Sequence, residues 1–80
     1  SVSNMDTFTK VKDIIVEAIS CDEDKVTMEA DIKADLGADS LDSVELVMAF
    51  EDAFEVSVPA EDAERLATVG DIVTLIDSLL

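Results

Sequence analysis

Apolar positions along the chain fall into three stretches of helical period, separated by polar or chain-breaking segments. The first runs from about Asp6 to Ile19, and at roughly 100° per residue it places Phe8, Val11, Ile15, Ala18 and Ile19 on one side. Ser20-Cys21-Asp22 and the acids that follow end it. A second helix is predicted over about Ser40–Glu55, with Ser43, Leu46, Val47, Phe50 and Phe54 sharing a face. Val58-Pro59 then breaks the chain, because the residue before proline disfavours helical dihedrals. A short turn of helix is expected from Ala60 to Leu66. Thr68 should cap a last helix whose apolar face is Val69, Ile72, Val73, Ile76 and Leu79. Between the first two helices lie roughly twenty residues, too long a loop for a compact domain unless it is tied down. Val26, Met28, Ile32 and Leu36 are the expected pins. The reading is all-α: one domain over residues 1–80, a small four-helix bundle of three longer helices and one short. Ser1–Asn4 reads as a cloning remnant or processed leader, with Met5 an original start.

The second helix carries more apolar residues than one face requires. Leu41, Val44 and Met48 form another arc at i, i+3 and i+7, flanked by Glu45, Asp52 and Glu55. A surface helix needs a single apolar stripe. The extra arc is either buried against another helix or an exposed docking strip rimmed by carboxylates.

Composition narrows what such a bundle can do. Eighty residues make one small domain, and 49% hydrophobic content suffices for a packed core, unlike a disordered acidic tail. Phe8, Phe50 and Phe54 are the only aromatics, so the core is mostly aliphatic and easier to part for an inserted chain. The net charge is −15. Between Ala34 and Glu64 there is no Lys or Arg, while ten acids occur there. Such a field repels nucleic acid and anionic membranes and steers toward basic protein patches. No long apolar segment suggests membrane insertion or secretion, and the lone Cys21 permits no internal disulfide. A reduced compartment fits, with Cys21 behaving as a small hydrophobe.

Several chemistries are set aside. The chain has no His, no Gly-rich phosphate loop and no Cys/His cluster. Asp31-Ile32-Lys33-Ala34-Asp35-Leu36-Gly37 puts Lys at loop position three and Gly one place late for an EF-hand, so no dedicated metal site is expected. Asp35 with Asp39, or Asp42 with Glu45, could meet at helical spacing as acid and base, but no pocket-forming aromatics accompany them. The chain reads as a protein that is not an enzyme.

One short stretch carries positive chemistry. Gly37-Ala38-Asp39-Ser40-Leu41 brings a serine to the point where a loop ends and the acidic helix begins. Gly37 loosens the backbone, and Asp39 or Ser40 can cap the first-turn N–H groups. A helix start also favours added negative charge, such as a phosphodiester on Ser40.

The longer block Leu36-Gly37-Ala38-Asp39-Ser40-Leu41-Asp42-Ser43-Val44-Glu45-Leu46-Val47-Met48-Ala49 closely resembles the attachment region of type II fatty-acid-synthesis acyl carrier proteins. The similarity runs from about Val11 to Ile76 and takes in Val26-Thr27, Val58-Pro59, Ala63-Glu64 and Thr68-Val69. It implies that Ser40 carries covalent 4′-phosphopantetheine, drawn from coenzyme A, whose thiol holds growing acyl chains as thioesters. It further implies that Asp39 helps a phosphopantetheinyl transferase engage. Fatty acid synthesis enzymes would dock through basic patches on Leu41, Asp42, Val44, Glu45, Met48 and Glu51. The acyl chain would retreat near Leu46, Val58, Ala63, Leu66 and Ile72. A cytoplasmic monomer is expected, with an organelle (plastid-like or mitochondrial) as the alternative place. Rival readings are a carrier for polyketide, aminoacyl or D-alanyl loading, an acidic interaction module without a prosthetic group, and a calcium-binding protein. Ser20-Cys21, and Phe50 where an aliphatic residue is more usual, depart from the family pattern.

Overall fold

The computed structural model describes residues 4–80. The expected remnant at Ser1–Asn4 therefore lies, apart from Asn4, outside the described residues. Four helices follow in order: α1 (Asn4–Ile19), α2 (Ser40–Phe54), α3 (Ala60–Ala63) and α4 (Val69–Leu79), with a 3-10 turn at Glu23–Lys25. No strand occurs among the described residues, and the all-α expectation holds. α1 packs against both α2 and α4.

The buried core draws Val11 and Ile15 from α1, Leu46 and Phe50 from α2, and Val69, Ile72, Val73 and Ile76 from α4. Two residues expected on inward helix faces are exposed. Ala18 is exposed because the α1 seam runs through Thr7, Val11 and Ile15 at i+4 spacing, a line that reaches half-buried Ile19 and misses Ala18. Thr7 is fully buried, which periodicity of apolar residues could not show; its hydroxyl donates to Asp77 Oδ1 at 2.6 Å across the α1–α4 seam. Leu79, 36% exposed, sits on the final turn of α4, beyond the last buried residue Ile76.

Val26, Ile32 and Leu36 pin the long loop as expected, joined by Ala30 and Ala38, whereas the side chain of Met28 is 39% exposed. Met28 acts through its backbone instead. Its carbonyl accepts the Gly70 N–H at 2.8 Å, Ala30 O accepts Val69 N–H at 3.0 Å, and Ile32 N–H donates to Ala67 O at 2.9 Å. The loop is thus stapled to the start of α4. Gly70 is required there, since a Cβ would lie 2.9 Å from Met28 O. α3 is shorter than expected, ending at Ala63 as the backbone tightens: Arg65 N–H donates to Asp62 O at 3.1 Å and Leu66 N–H to Ala63 O at 3.3 Å.

Candidate functional site

The stapled loop delivers the chain to α2 through a tight turn. Asp31 Oδ1 accepts from Lys33 N–H (2.9 Å) and Ala34 N–H (2.8 Å), and Ala38 N–H donates to Ile32 O at 3.0 Å. Gly37 takes a left-handed φ of 75°, which glycine adopts at little cost. Ala38, 5% exposed, anchors the turn in the core.

Of the two capping candidates, Asp39 takes the role. Its Oδ1 accepts from Asp42 N–H at 2.9 Å, and Asp42 Oδ2 accepts from Asp39 N–H at 3.1 Å, closing a reciprocal capping box. Ser40 is therefore the first helical residue, exposed, and among the described residues its hydroxyl has no hydrogen-bond partner. Ser43, one turn on, is half-buried and donates its hydroxyl to Asp39 O at 3.1 Å. The helix start holds one serine out and ties the other down.

Below Ser40 lies a cavity of about 650 Å³ between α2, α3 and α4. All five residues that the resemblance singled out for an acyl chain, Leu46, Val58, Ala63, Leu66 and Ile72, line it together. Ile32, Val47 and Phe50 also line it, and Ser40, Lys33 and Glu64 are the exposed polar residues among its walls. Phe50, expected on the core face and a departure from the family pattern, reaches this space from its place four residues after Leu46 on the same face.

Leu41, Val44 and Met48 are 75%, 58% and 61% exposed, so the second apolar arc is a surface strip and not a helix contact, and Val44 and Met48 also border the cavity. Glu45 beside it is exposed. Asp42 and Glu51 are half-buried and have structural duties: Asp42 in the capping box, Glu51 accepting from Val58 N–H at 2.8 Å through Oε2. Among the described residues no helix is long and apolar enough to cross a membrane, and no group of three or more His, Cys, Asp or Glu could hold a metal ion.

A helical bundle that presents an exposed serine at the mouth of an apolar cavity has the architecture of a carrier domain. The chain belongs to the family defined by the phosphopantetheine attachment site, whose model matches residues 9–76. It is also similar to a solved structure from Mycobacterium tuberculosis described as "a putative acyl carrier protein", with a TM-score of 0.87 and 27% identity, covering 92% of this chain and 99% of that one. The protein is a carrier, not an enzyme, and its prosthetic group is covalently attached 4′-phosphopantetheine. As a carrier it engages acyl chains and partner enzymes.

Proposed function

We propose that Ser40 is the attachment residue and that the protein carries growing acyl chains in type II fatty acid synthesis. The observation that carries this reading is the coincidence at one helix start of an exposed, unpartnered serine hydroxyl and the mouth of a cavity of about 650 Å³ with an apolar floor. The residues present fit the group. Ser40 Oγ can reach a transferase without breaking an internal hydrogen bond, whereas Ser43 would have to surrender its bond to Asp39 O. In the transfer, Ser40 Oγ attacks the phosphorus that bears the pantetheine half of coenzyme A. The pyrophosphate P–O bond breaks, the adenosine-bearing phosphate leaves, and a base of the transferase takes the serine proton. When bound, the group supplies the thiol that holds acyl chains as thioesters.

The chain's own residues would then do three things. Asp39, through the capping box, fixes the helix start that the transferase must read. Leu41, Val44 and Met48 give partner enzymes an apolar contact, with Glu45, and the remaining oxygens of Asp42 and Glu51, meeting basic residues around it. Docking of this kind is fast and weak, as a shuttling carrier requires. Leu46, Val58, Ala63, Leu66 and Ile72 shelter the acyl chain between visits. The half-buried, unpaired Cys21 suits a reducing compartment, cytoplasm or organelle, and a monomer suffices for all three tasks.

The test combines mass and stability. Incubation with a phosphopantetheinyl transferase and coenzyme A should add one arm, and acyl-loaded forms of increasing length should unfold at rising urea concentration up to medium chains. Each methylene removed from water contributes about 0.8 kcal/mol; parting the core and ordering the arm offset much of it, leaving a net of about 1–3 kcal/mol. Equal stability across the series would remove the sheltering role. Efficient loading by aminoacyl or D-alanyl ligases, with none by fatty-acyl ligases, would move the protein to a specialised carrier pathway.

A further inference from the structure

Attachment at Ser40 would turn a neutral hydroxyl into an anion in a chain of net charge −15, between the carboxylates of Asp39 and Asp42. Those carboxylates already occupy two of the N–H donors at the helix start, those of Asp42 and Asp39. A countercharge is therefore needed, and the chain has five cations. Lys12 pairs with Glu23 Oε1 at 3.3 Å. Lys10 lies 5.1 Å from the centroid of the Phe54 ring and donates to Ala53 O at 3.4 Å. Lys25 is on the 3-10 turn, and Arg65 lines a separate shallow groove with Asp62 and Asp71.

Lys33 is different. It is exposed, and it lines the same cavity as Ser40, the one cation to do so. Among the described residues it has no salt bridge, although twenty acids are available in the chain. Its backbone is held on both sides, N–H donating to Asp31 Oδ1 at 2.9 Å and carbonyl accepting from Gly37 N–H at 3.1 Å. A fixed backbone with an unpaired ammonium at the rim reduces the ordering cost of closing onto an anion there.

We propose that Lys33 is a positioning residue for the prosthetic arm: its ammonium pairs with the phosphodiester on Ser40 and holds the first segment of the arm over the cavity mouth. The inference rests on the reading that Ser40 bears the arm. It assigns the short Asp31–Gly37 turn, which also pins the loop through Ile32 and Leu36, the task of offsetting the charge that attachment creates.

The experiment compares the transferase-modified forms of the wild type, Lys33→Arg and Lys33→Met, each with its arm located by peptide mass. The 31P resonance of the phosphodiester should differ between wild type and Lys33→Met at low salt, and Lys33→Arg should stay near wild type. Added salt should bring wild type toward the Met variant, since an ion pair between exposed groups is weakened by salt. Urea unfolding at low salt should show attachment lowering the folded-to-unfolded ratio of Lys33→Met about 1.4- to 5-fold more than that of wild type, the range for an exposed ion pair. An unchanged 31P position and equal attachment effects in all three proteins overturn the role of Lys33 while leaving Ser40 intact. An arm located elsewhere than Ser40 overturns the attachment reading, and this inference with it.

Discussion

α2 and α4 begin with the same device and put it to opposite use. Each opens on a reciprocal capping box, Asp39 with Asp42 and Thr68 with Asp71. In α4 the first helical residue, Val69, is fully buried, and Ile72, Val73 and Ile76 follow it into the core. In α2 the first helical residue is an exposed serine, and Leu41, Val44 and Met48 remain in solvent while Leu46 and Phe50 alone are fully inside. Even the chain before each helix differs in consequence: the loop is stapled onto the start of α4 through Met28, Ala30 and Ile32, while the same loop leaves the start of α2 open. A capped helix start is thus sealed when its first turn is apolar and inward. It is left open when that turn carries a hydroxyl and the apolar excess is exposed, which is what the proposed attachment site requires.

Truncation should separate the two helices most strongly. Ile76→Ala, at 1% exposure, should cost about 2–5 kcal/mol, whereas Met48→Ala, at 61%, should stay within about 0.5 kcal/mol and slow reaction with partner enzymes instead. Urea unfolding beside transferase kinetics measures both. Comparable destabilisation by the two would mean that the outer arc of α2 is not a free surface.

The caps should give a smaller, more similar loss. Thr68→Ala and Asp39→Ala should each cost about 0.5–2 kcal/mol, but only Asp39→Ala should also slow attachment of the arm. Acid separates them further. The Asp71 carboxylate accepts the N–H groups of Thr68 and Ala67, both at 3.0 Å, and these hold it below its ordinary value of 3.8. A depressed carboxylate stabilises the fold above the unfolded value and loses that contribution as pH falls through the folded one. The α4 cap should therefore loosen below about pH 4, against the general relief of charge repulsion in a chain of net charge −15. Amide exchange at 67–71 across that range would report it, and an unchanged rate in Asp71→Asn at neutral pH would count against it.

Smallest in stability is Glu45→Lys, an exposed change that should alter unfolding by less than about 0.5 kcal/mol. Its effect should appear in the association rate with partner enzymes at low salt, shrinking as salt screens it. Rates unchanged at low ionic strength would move the docking strip elsewhere.

Much of this contrast could be read from residue order. The i, i+3, i+4 pattern located α2 and α4, and the Thr68 cap followed from its place before Val69. Periodicity alone could not choose between a buried and an exposed second arc, because that depends on whether another helix covers it. Nor could it find Thr7, whose burial follows from a hydroxyl meeting Asp77 seventy residues away. The expected inward positions of Ala18, Met28 and Leu79 failed for separate reasons: Ala18 lies off the i+4 seam of α1, Leu79 lies past the last buried turn of α4, and Met28 holds the loop through its backbone. The cavity residues came from family resemblance, because which side chains of the successive helices α2, α3 and α4 and their connections share one space depends on how those elements pack.

Whether the exposed serine at the start of α2 is the point of attachment can be decided by peptide-level mass after treatment with a phosphopantetheinyl transferase and coenzyme A. Wild type, Ser40→Ala and Ser43→Ala should all keep their helicity, since the cap belongs to Asp39 and alanine favours a first helical turn. Wild type and Ser43→Ala should carry the arm on the peptide containing Ser40, and Ser40→Ala should carry none. An arm gained by folded Ser40→Ala, or lost from folded Ser43→Ala with Ser40 unmodified, would contradict the assignment.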